Sequence, residues 1–421
     1  MPNADRVRRY TLGVLVVIYT FNFIDRQILA ILLPAIKVEF GVGDTVLGFL
    51  AGPAFALFYA TLGVPIALLA DRWNRRNLIA ISLALWSGMT ALSGMATNIL
   101  QLSLARIGVG VGEAGCSPPA HSMIADLYPP EERSAAMGIF SLGISFGIMI
   151  AFLSGGWIVQ NIGWREAFFV VGIPGLLLAI LFRTTIQEPQ RGLSEARQDT
   201  GSRPGVLEVA AFLFRRPSFV WISVGSGLAS FVGYSTTTFF PRYLVSSFGM
   251  QPVDIGLYLG LVLGIAGGIG FAGGGIISDR LSRGGQKRAM LGVAAALMFG
   301  WLFLVPVFLS DSLMVVLSLF VVPAIFSNFY LATTFAQTQN LVGLRMRGMA
   351  SAIMLLILNI IGLGLGPQVT GILSDLLNPT FGAESMRYAL FGVAAAVYPF
   401  AALSYVLASR SIEKDLARAS A

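Results

Sequence analysis

Apolar stretches of about 20 residues alternate with short charged segments along the whole chain, and a helix of that length crosses a hydrocarbon core of about 30 Å. About twelve such stretches occur. The first six predict helix 1 over 11–34, helix 2 from Gly52 to Ala70 and helix 3 over 78–95. Helix 4 starts near Leu100 and leads into Pro118, Pro119 and His121, helix 5 follows Arg133, and helix 6 ends at Arg183. Six more runs lie at about 218–247, 254–278, 288–309, 312–337, 349–375 and 387–409. Between the two sets, residues 184–216 form the one long hydrophilic segment. The expectation is an all-α integral membrane protein of twelve transmembrane helices in two six-helix bundles, 1–183 and 217–421, joined by a cytoplasmic linker at 184–216.

Composition supports this reading. Hydrophobic residues make up 56% and charged residues 12%, where soluble domains carry about 25% charge. A net charge of +7 would suit nucleic acid, but the basic residues sit in short loops, so no nucleic-acid partner is expected. Assigning alternate loops to the cytoplasm collects Arg72, Arg75, Arg76, Arg133, Arg280, Arg283, Lys287, Arg288, Arg345, Arg347, Arg410, Lys414 and the arginines of the linker on one side. Lys37, Arg165 and Arg387 face the other. That asymmetry predicts both termini in the cytoplasm of a cell whose inner membrane the chain crosses. The Arg6, Arg8 and Arg9 flank resembles a signal peptide, but the first run is too long and lacks a small-x-small site, so it is expected to be retained. Cys116 is the lone cysteine, which excludes a disulfide and a multi-cysteine metal site within one chain. No metal or other cofactor is expected, and the chain is expected to act as a monomer.

The intramembrane charges carry the chemistry. Asn22, Asp25 and Arg26 fall on one face of helix 1, and Arg106, Gly110 and Glu113 on one face of helix 4. At 1.5 Å per residue Asp25, Arg26 and Glu113 all reach the middle third of a bilayer. A bare charge there costs about 3 kcal/mol and marks function by default. The four formal charges cancel. Either they form a static lock between helices 1 and 4, or Asp25 and Glu113 are proton sites whose charge state follows opening and closing of a cavity. In the second case protonation frees Arg26 for an anionic head group, with Asn22, Tyr59 and Arg106 beside it. The second half is poorer in charge, offering Arg242, Tyr234, Asn328, Tyr330, Gln337, Asn359 and Gln368. Arg242, Tyr234, Asn328 and Asn359 are candidate substrate contacts, although Arg242 reads equally well as an interfacial snorkelling residue. A site charged on one side and apolar on the other suits an amphiphile.

Other features have plainer readings. Gly108 to Gly112 is glycine-rich, but no strand precedes it and close helix packing explains it better. Gly366-Pro367 reads as a flexible point, His121 as a subsidiary proton group or a packing residue, and Cys116 as packing.

An internal repeat links the halves. Gly63-…-Ala67-…-Asp71-Arg72 matches Gly275-…-Asp279-Arg280, Arg133 matches Arg347, and Trp164 to Phe168 resembles Met386 to Leu390. Repeated six-helix halves are the pattern of alternating-access carriers. Asp71, Arg72, Arg133, Asp279, Arg280 and Arg347 then read as gates at helix ends. Arg75, Arg76, Arg283 and Arg288 fit gates or solvated topology signals equally.

Over nearly its full length the chain resembles the major facilitator superfamily, whose loop between helices 2 and 3 carries Asp-Arg-x-Gly-Arg-Arg. Here Asn74 replaces that Gly, a mild departure because Asn tolerates a left-handed turn. Asn22 to Arg26, Gly52 to Tyr59 and Arg106-…-Gly112-Glu113 resemble the Spinster-like branch. Sugar-acid symporters also carry an Asn-x-x-Asp-Arg in helix 1. The branch resemblance implies a lysophospholipid- or sphingolipid-like substrate, with the roles given above for Asp25, Arg26 and Glu113. The expected function is proton-coupled transport of an amphiphile, with protons, the lipid-like substrate and the bilayer as partners. Its rivals are symport of small organic anions, a membrane-embedded lipid enzyme and a non-transporting sensor. The enzyme is disfavoured because no nucleophile has an adjacent base.

Overall fold

The computed structural model describes residues 2–190, 205–343 and 346–420. Arg191, Arg197, Arg203 and Arg345 lie outside these residues. Regular structure among the described residues is helical throughout. Helix 1 is Pro2–Phe40, helix 2 is Asp44–Ala51 and Pro53–Arg72, helix 3 Arg75–Gly94, and helix 4 Ile99–Glu113 followed by Ser117–Leu127. Helix 5 is Pro130–Asn161 and helix 6 Trp164–Thr185. A short linker helix, Val206–Phe214, precedes helix 7, Pro217–Phe248. Helix 8 runs Pro252–Leu261 and Gly267–Ser282 around a π turn at Val262–Ala266. Helix 9 is Gln286–Leu309, and helix 10 is Leu313–Phe326 and Phe329–Asn340. Helix 11 is Arg347–Ile357 and Gly366–Phe381 around a π turn at Leu358–Leu365, and helix 12 is Ser385–Ser420.

Nine helical stretches among the described residues are long and apolar enough to span a bilayer, and one of them, Arg347–Arg418, contains both helices 11 and 12. Helices 4 and 7 complete the twelve. Helix 4 is interrupted at 114–116 ahead of Pro118-Pro119, and helix 7 is diluted by Ser223, Ser226, Ser230, Ser235 and Thr236 to Thr238.

Two compact units emerge, and they do not follow the midpoint of the chain. One comprises Met1–Val42, Ala54–Gly201 and Gln251–Gly260, the other Gly43–Pro53, Ser202–Met250 and Leu261–Ala421. Helix 2 is therefore divided. The sequence reading from Gly52 to Ala70 matches its second segment, while Asp44–Ala51, read as outer loop and the start of the apolar run, forms a first segment that ends at Gly52, whose backbone leaves the helical region (φ −104°, ψ −99°), and Pro53 has no N–H to continue the ladder.

Small residues set the interhelical distances, as expected where lipid offers no hydrophobic drive for association. In the first unit a Cβ on Gly110 would lie 2.6 Å from the Phe55 carbonyl oxygen, and one on Gly112 would lie 2.6 Å from the Trp86 backbone nitrogen. In the second, Gly48 and Gly52 bring the first segment of helix 2 against the backbone of Pro367 and Gly364 of helix 11.

Asn74 does not adopt the left-handed turn expected of it. Its φ is −71°, and its side chain accepts a hydrogen bond from the Asn77 N–H at 2.8 Å, capping helix 3. The next residue, Arg75, is 1% exposed. Its guanidinium pairs with Asp126, reaches Glu188 at 2.8 Å, and donates to Ser122 Oγ at 2.9 Å and the Pro189 carbonyl at 2.8 Å. The Arg76 backbone N–H donates to Glu188 at 2.7 Å and its side chain to the Ile186 carbonyl at 3.2 Å. The start of the hydrophilic segment is thus folded onto helices 3 and 4, so of the two readings open for Arg75, solvation is excluded.

Candidate functional site

Helices 1, 2, 3 and 4 of the first unit enclose the charged cluster. Asp25 is 1% exposed and Glu113 fully buried. Arg106 Nη1 donates to Asp25 Oδ1 at 3.1 Å, and the Thr90 hydroxyl of helix 3 donates to Oδ2. Arg26 Nη2 and Nε donate to Glu113 Oε2 at 2.7 and 3.2 Å. Two adjacent residues of helix 1 thereby reach partners seven residues apart, about 10 Å along helix 4. The reach comes from one long arginine in each pair.

The Arg26 guanidinium also lies in an aromatic slot, 4.6 Å from the Tyr59 ring centroid, 5.0 Å from Phe55 and 5.1 Å from Phe23. Asn22 Oδ1 accepts from Nη2 at 3.5 Å. Phe55 is shared, since the Arg106 guanidinium stands 5.7 Å from the same ring. Ring faces attract cations by about 0.5–2 kcal/mol each, more when dry, so the slot holds the arginine even when its carboxylate partner is neutral. Among the described residues, Glu113 Oε1 and Asn22 Nδ2 are buried without a hydrogen-bond partner. An orphaned acceptor and donor beside a paired guanidinium leave capacity for a proton and for a polar ligand atom.

Asn22, Asp25, Arg26, Tyr59, Arg106 and Glu113 thus come together as the sequence suggested. Thr90, Phe23 and Phe55 join them. Phe23 and Phe55 lie within the Asn22 to Arg26 and Gly52 to Tyr59 runs that the sequence offered, whereas Thr90 carried no signal there.

Arg242, Tyr234, Asn328 and Asn359 belong to the second unit. Arg242 Nε lies 3.6 Å from Asp44 Oδ1, an arrangement that neither sequence alternative contained. Asp44, 1% exposed, also accepts from Ser374 Oγ at 2.7 Å. Asp375 accepts from the Asp44 and Thr45 backbone N–H groups at 2.9 and 2.8 Å, capping the first segment of helix 2. Asn328 stands at the break of helix 10 and Asn359 in the π turn of helix 11. The Tyr405 and Thr334 hydroxyls bond each other at 2.6 Å, and Tyr330 and Ser230 are buried as well. The second unit is therefore richer in buried hydroxyls than its lack of charge implied.

Of the gate candidates, Arg72, Asp279, Arg280 and Arg347 are exposed, Arg133 donates to the Ala125 carbonyl at 2.9 Å, and the Asp71 side chain is outside the described positions. His121 packs edge-on against Phe140, and Cys116 is fully buried.

A repeated all-helical membrane architecture with a sealed, charge-neutral polar centre defines a multi-pass transporter fold. The Major Facilitator Superfamily model matches residues 15–367, and the chain belongs to that superfamily. It is 34% identical over 413 residues to an MFS-type efflux pump of Mycolicibacterium smegmatis, covering 96% of this chain and 93% of that one. A probable galactarate/D-glucarate transporter of Bacillus subtilis is 28% identical over 310 residues, 67% of each chain. A crystal structure of a bacterial homolog to the human lysosomal transporter Spinster superposes with a TM-score of 0.87 at 32% identity, over 97% of this chain and 98% of that one.

Proposed function

We propose that the protein is a proton-coupled secondary transporter that moves an amphiphilic anion or zwitterion of the lysophospholipid class by alternating access. The observation that carries this reading is the double hold on Arg26, by Glu113 on one side and by Tyr59, Phe55 and Phe23 on the other. A proton on Glu113 removes the ionic hold but leaves the aromatic one. The guanidinium then presents its fork to a phosphate or carboxylate, with Asn22 Nδ2 as a neighbouring donor. Asp25 is the second proton site, and its loss of charge would release Arg106. Tyr234, Asn328 and Asn359 are proposed as substrate contacts from the second unit. The likeness to a Spinster homolog supports the amphiphilic class. The two Asp-Arg turns, with Arg133 and Arg347, act in this reading as gates on the basic side, which faces the cytoplasm with both termini in a bacterial inner membrane.

The test is uptake into proteoliposomes under an imposed pH gradient. Asp25→Asn is expected to abolish driven uptake while the protein elutes as folded; driven uptake like that of the wild type removes the proton role. In binding titrations Arg26→Ala should weaken lysolipid affinity more than Arg72→Ala, and the opposite order takes Arg26 out of the site. A second reading, symport of small hydroxylated organic acids, is favoured by the galactarate/D-glucarate relative and by the buried hydroxyls around Tyr330 and Tyr405. Competition by sugar acids but not by lysolipids would select it.

A further inference from the structure

Glu113 is fully buried and Asp25 nearly so, so a proton that reaches either carboxylate from water has to be handed inward. Helices 1 and 4 run antiparallel past each other, and both continue from the charged centre toward the basic side. On helix 4 Ser117 follows Glu113 by four residues and His121 by eight, about 12 Å further along. The interruption between them does not turn the chain aside. The Gly115 and Cys116 N–H groups bond the Gly112 and Glu113 carbonyls at 3.1 Å, and the Ala120 N–H bonds the Cys116 carbonyl at 3.1 Å. Residues four apart therefore keep to one side of the helix.

Tyr19 of helix 1 lies on the same path. Its ring stacks on Phe140 of helix 5 at 4.2 Å and meets Phe23 edge-on at 5.2 Å, and Phe23 in turn faces the Arg26 guanidinium. The His121 imidazole meets Phe140 edge-on at 5.4 Å. The rings thus form a continuous wall from Arg26 down to His121. Groups with exchangeable protons follow this wall. The Tyr19 side chain interacts with Ser117, Cys116, Tyr59 and Arg26, and Cys116 with Glu113. At the lower end His121 is exposed.

The ionisable groups around the imidazole leave its charge to the solution. Helix 1 brings Tyr19, with Arg8 further down engaged by Asp5 and Glu132. Helix 5 brings the uncharged Phe140, and its Arg133 donates to the Ala125 carbonyl, one turn beyond His121. On helix 4 Asp126 pairs with Arg75. Imidazole is the side chain that ordinarily changes charge near neutral pH.

We propose that His121 is the proton port of the charged centre on its basic side. The idea rests on the proton role given above to Glu113. The imidazole takes a proton from water and passes it on by way of the Ser117 and Tyr19 hydroxyls, each accepting one proton as it releases another. The last transfer is to Glu113 Oε1, the buried acceptor without a hydrogen-bond partner. On balance the imidazolium becomes imidazole and the carboxylate becomes a carboxylic acid.

The test needs no transported substrate. In the full-length protein in nanodiscs, a light-released proton is followed by time-resolved infrared spectroscopy of the carboxylic acid C=O stretch, with the Glu113 signal identified as the part lost in Glu113→Gln. A port alters the rate of protonation and not its extent. His121→Ala is expected to slow the rise by about tenfold or more, to leave its final amplitude unchanged, and to regain speed when imidazole is added to the buffer. The double variant Tyr19→Phe/Ser117→Ala keeps the ring wall and should slow the rise as well. A signal that is lost in Glu113→Gln but rises equally fast in His121→Ala overturns the port alone, and so does a slowed rise with reduced amplitude that imidazole does not rescue, which would make His121 a packing residue. A carboxylic acid signal that Glu113→Gln leaves intact overturns the proton role of Glu113 and the port with it.

Discussion

Removing the Thr90 hydroxyl takes away one of the two donors that hold the Asp25 carboxylate. A hydrogen bond to a charged group is worth about 1.5–3 kcal/mol when its partner is left buried. Thr90→Val is therefore expected to lower the melting temperature in detergent and to weaken pH-driven uptake, while Thr90→Ser stays close to wild type on both measures. Equal effects of the two variants would mean that packing, not the hydroxyl, is what matters. Nothing in the sequence singles Thr90 out, since a threonine within an apolar helix has no partner until helices 1 and 3 are placed side by side. The charged members of the cluster were legible for the opposite reason. Asp25, Arg26, Arg106 and Glu113 each violate the apolar pattern, and the violation is costly enough to demand an explanation.

At the scale of elements the buried Arg75 clamp joins helices 3 and 4 to the chain leaving helix 6. Its charge is matched by Asp126 and Glu188, both half-buried, so removing the arginine leaves two carboxylates that water can still reach and takes away its hydrogen bonds, at about 1–3 kcal/mol. Arg75→Ala should destabilise the protein by that order in thermal unfolding, whereas Arg72→Ala, on an exposed side chain, should barely register. The sequence showed both arginines in one basic turn and could not separate them, because burial depends on where residues 186–189 return. Gly110→Leu meets the Phe55 carbonyl and is expected to cost about 1–3 kcal/mol through overpacking. Asp375→Ala leaves the Asp44 and Thr45 N–H groups uncapped, a loss of about 0.5–2 kcal/mol, detectable as faster hydrogen exchange over residues 44–51. Helix existence was readable from hydropathy almost everywhere. The short segment Asp44–Ala51 ahead of Gly52, the interruption at Ser327–Asn328 and the π turns of helices 8 and 11 were not, since a local loss of ladder bonds leaves the apolar pattern unchanged.

For the whole molecule, twelve spans and a repeated half were plain from the spacing of apolar runs and the paired Asp-Arg turns. The partition into compact units was not. It gives residues 43–53 to the second unit and 251–260 to the first, which follows from glycine-mediated backbone approach rather than from chain order. The chain consequently passes from one unit to the other at Val42/Gly43, Pro53/Ala54, Gly201/Ser202, Met250/Gln251 and Gly260/Leu261. Four of these passages lie in short, described backbone: beside Gly41 and Gly249, both at φ +61°, at the Gly52 break, and at the entrance to the Val262–Ala266 π turn. Gly249 closes helix 7 at a left-handed φ that a side chain tolerates poorly, so Gly249→Ala would load strain into the passage itself while leaving every contact of the charged centre as it stands.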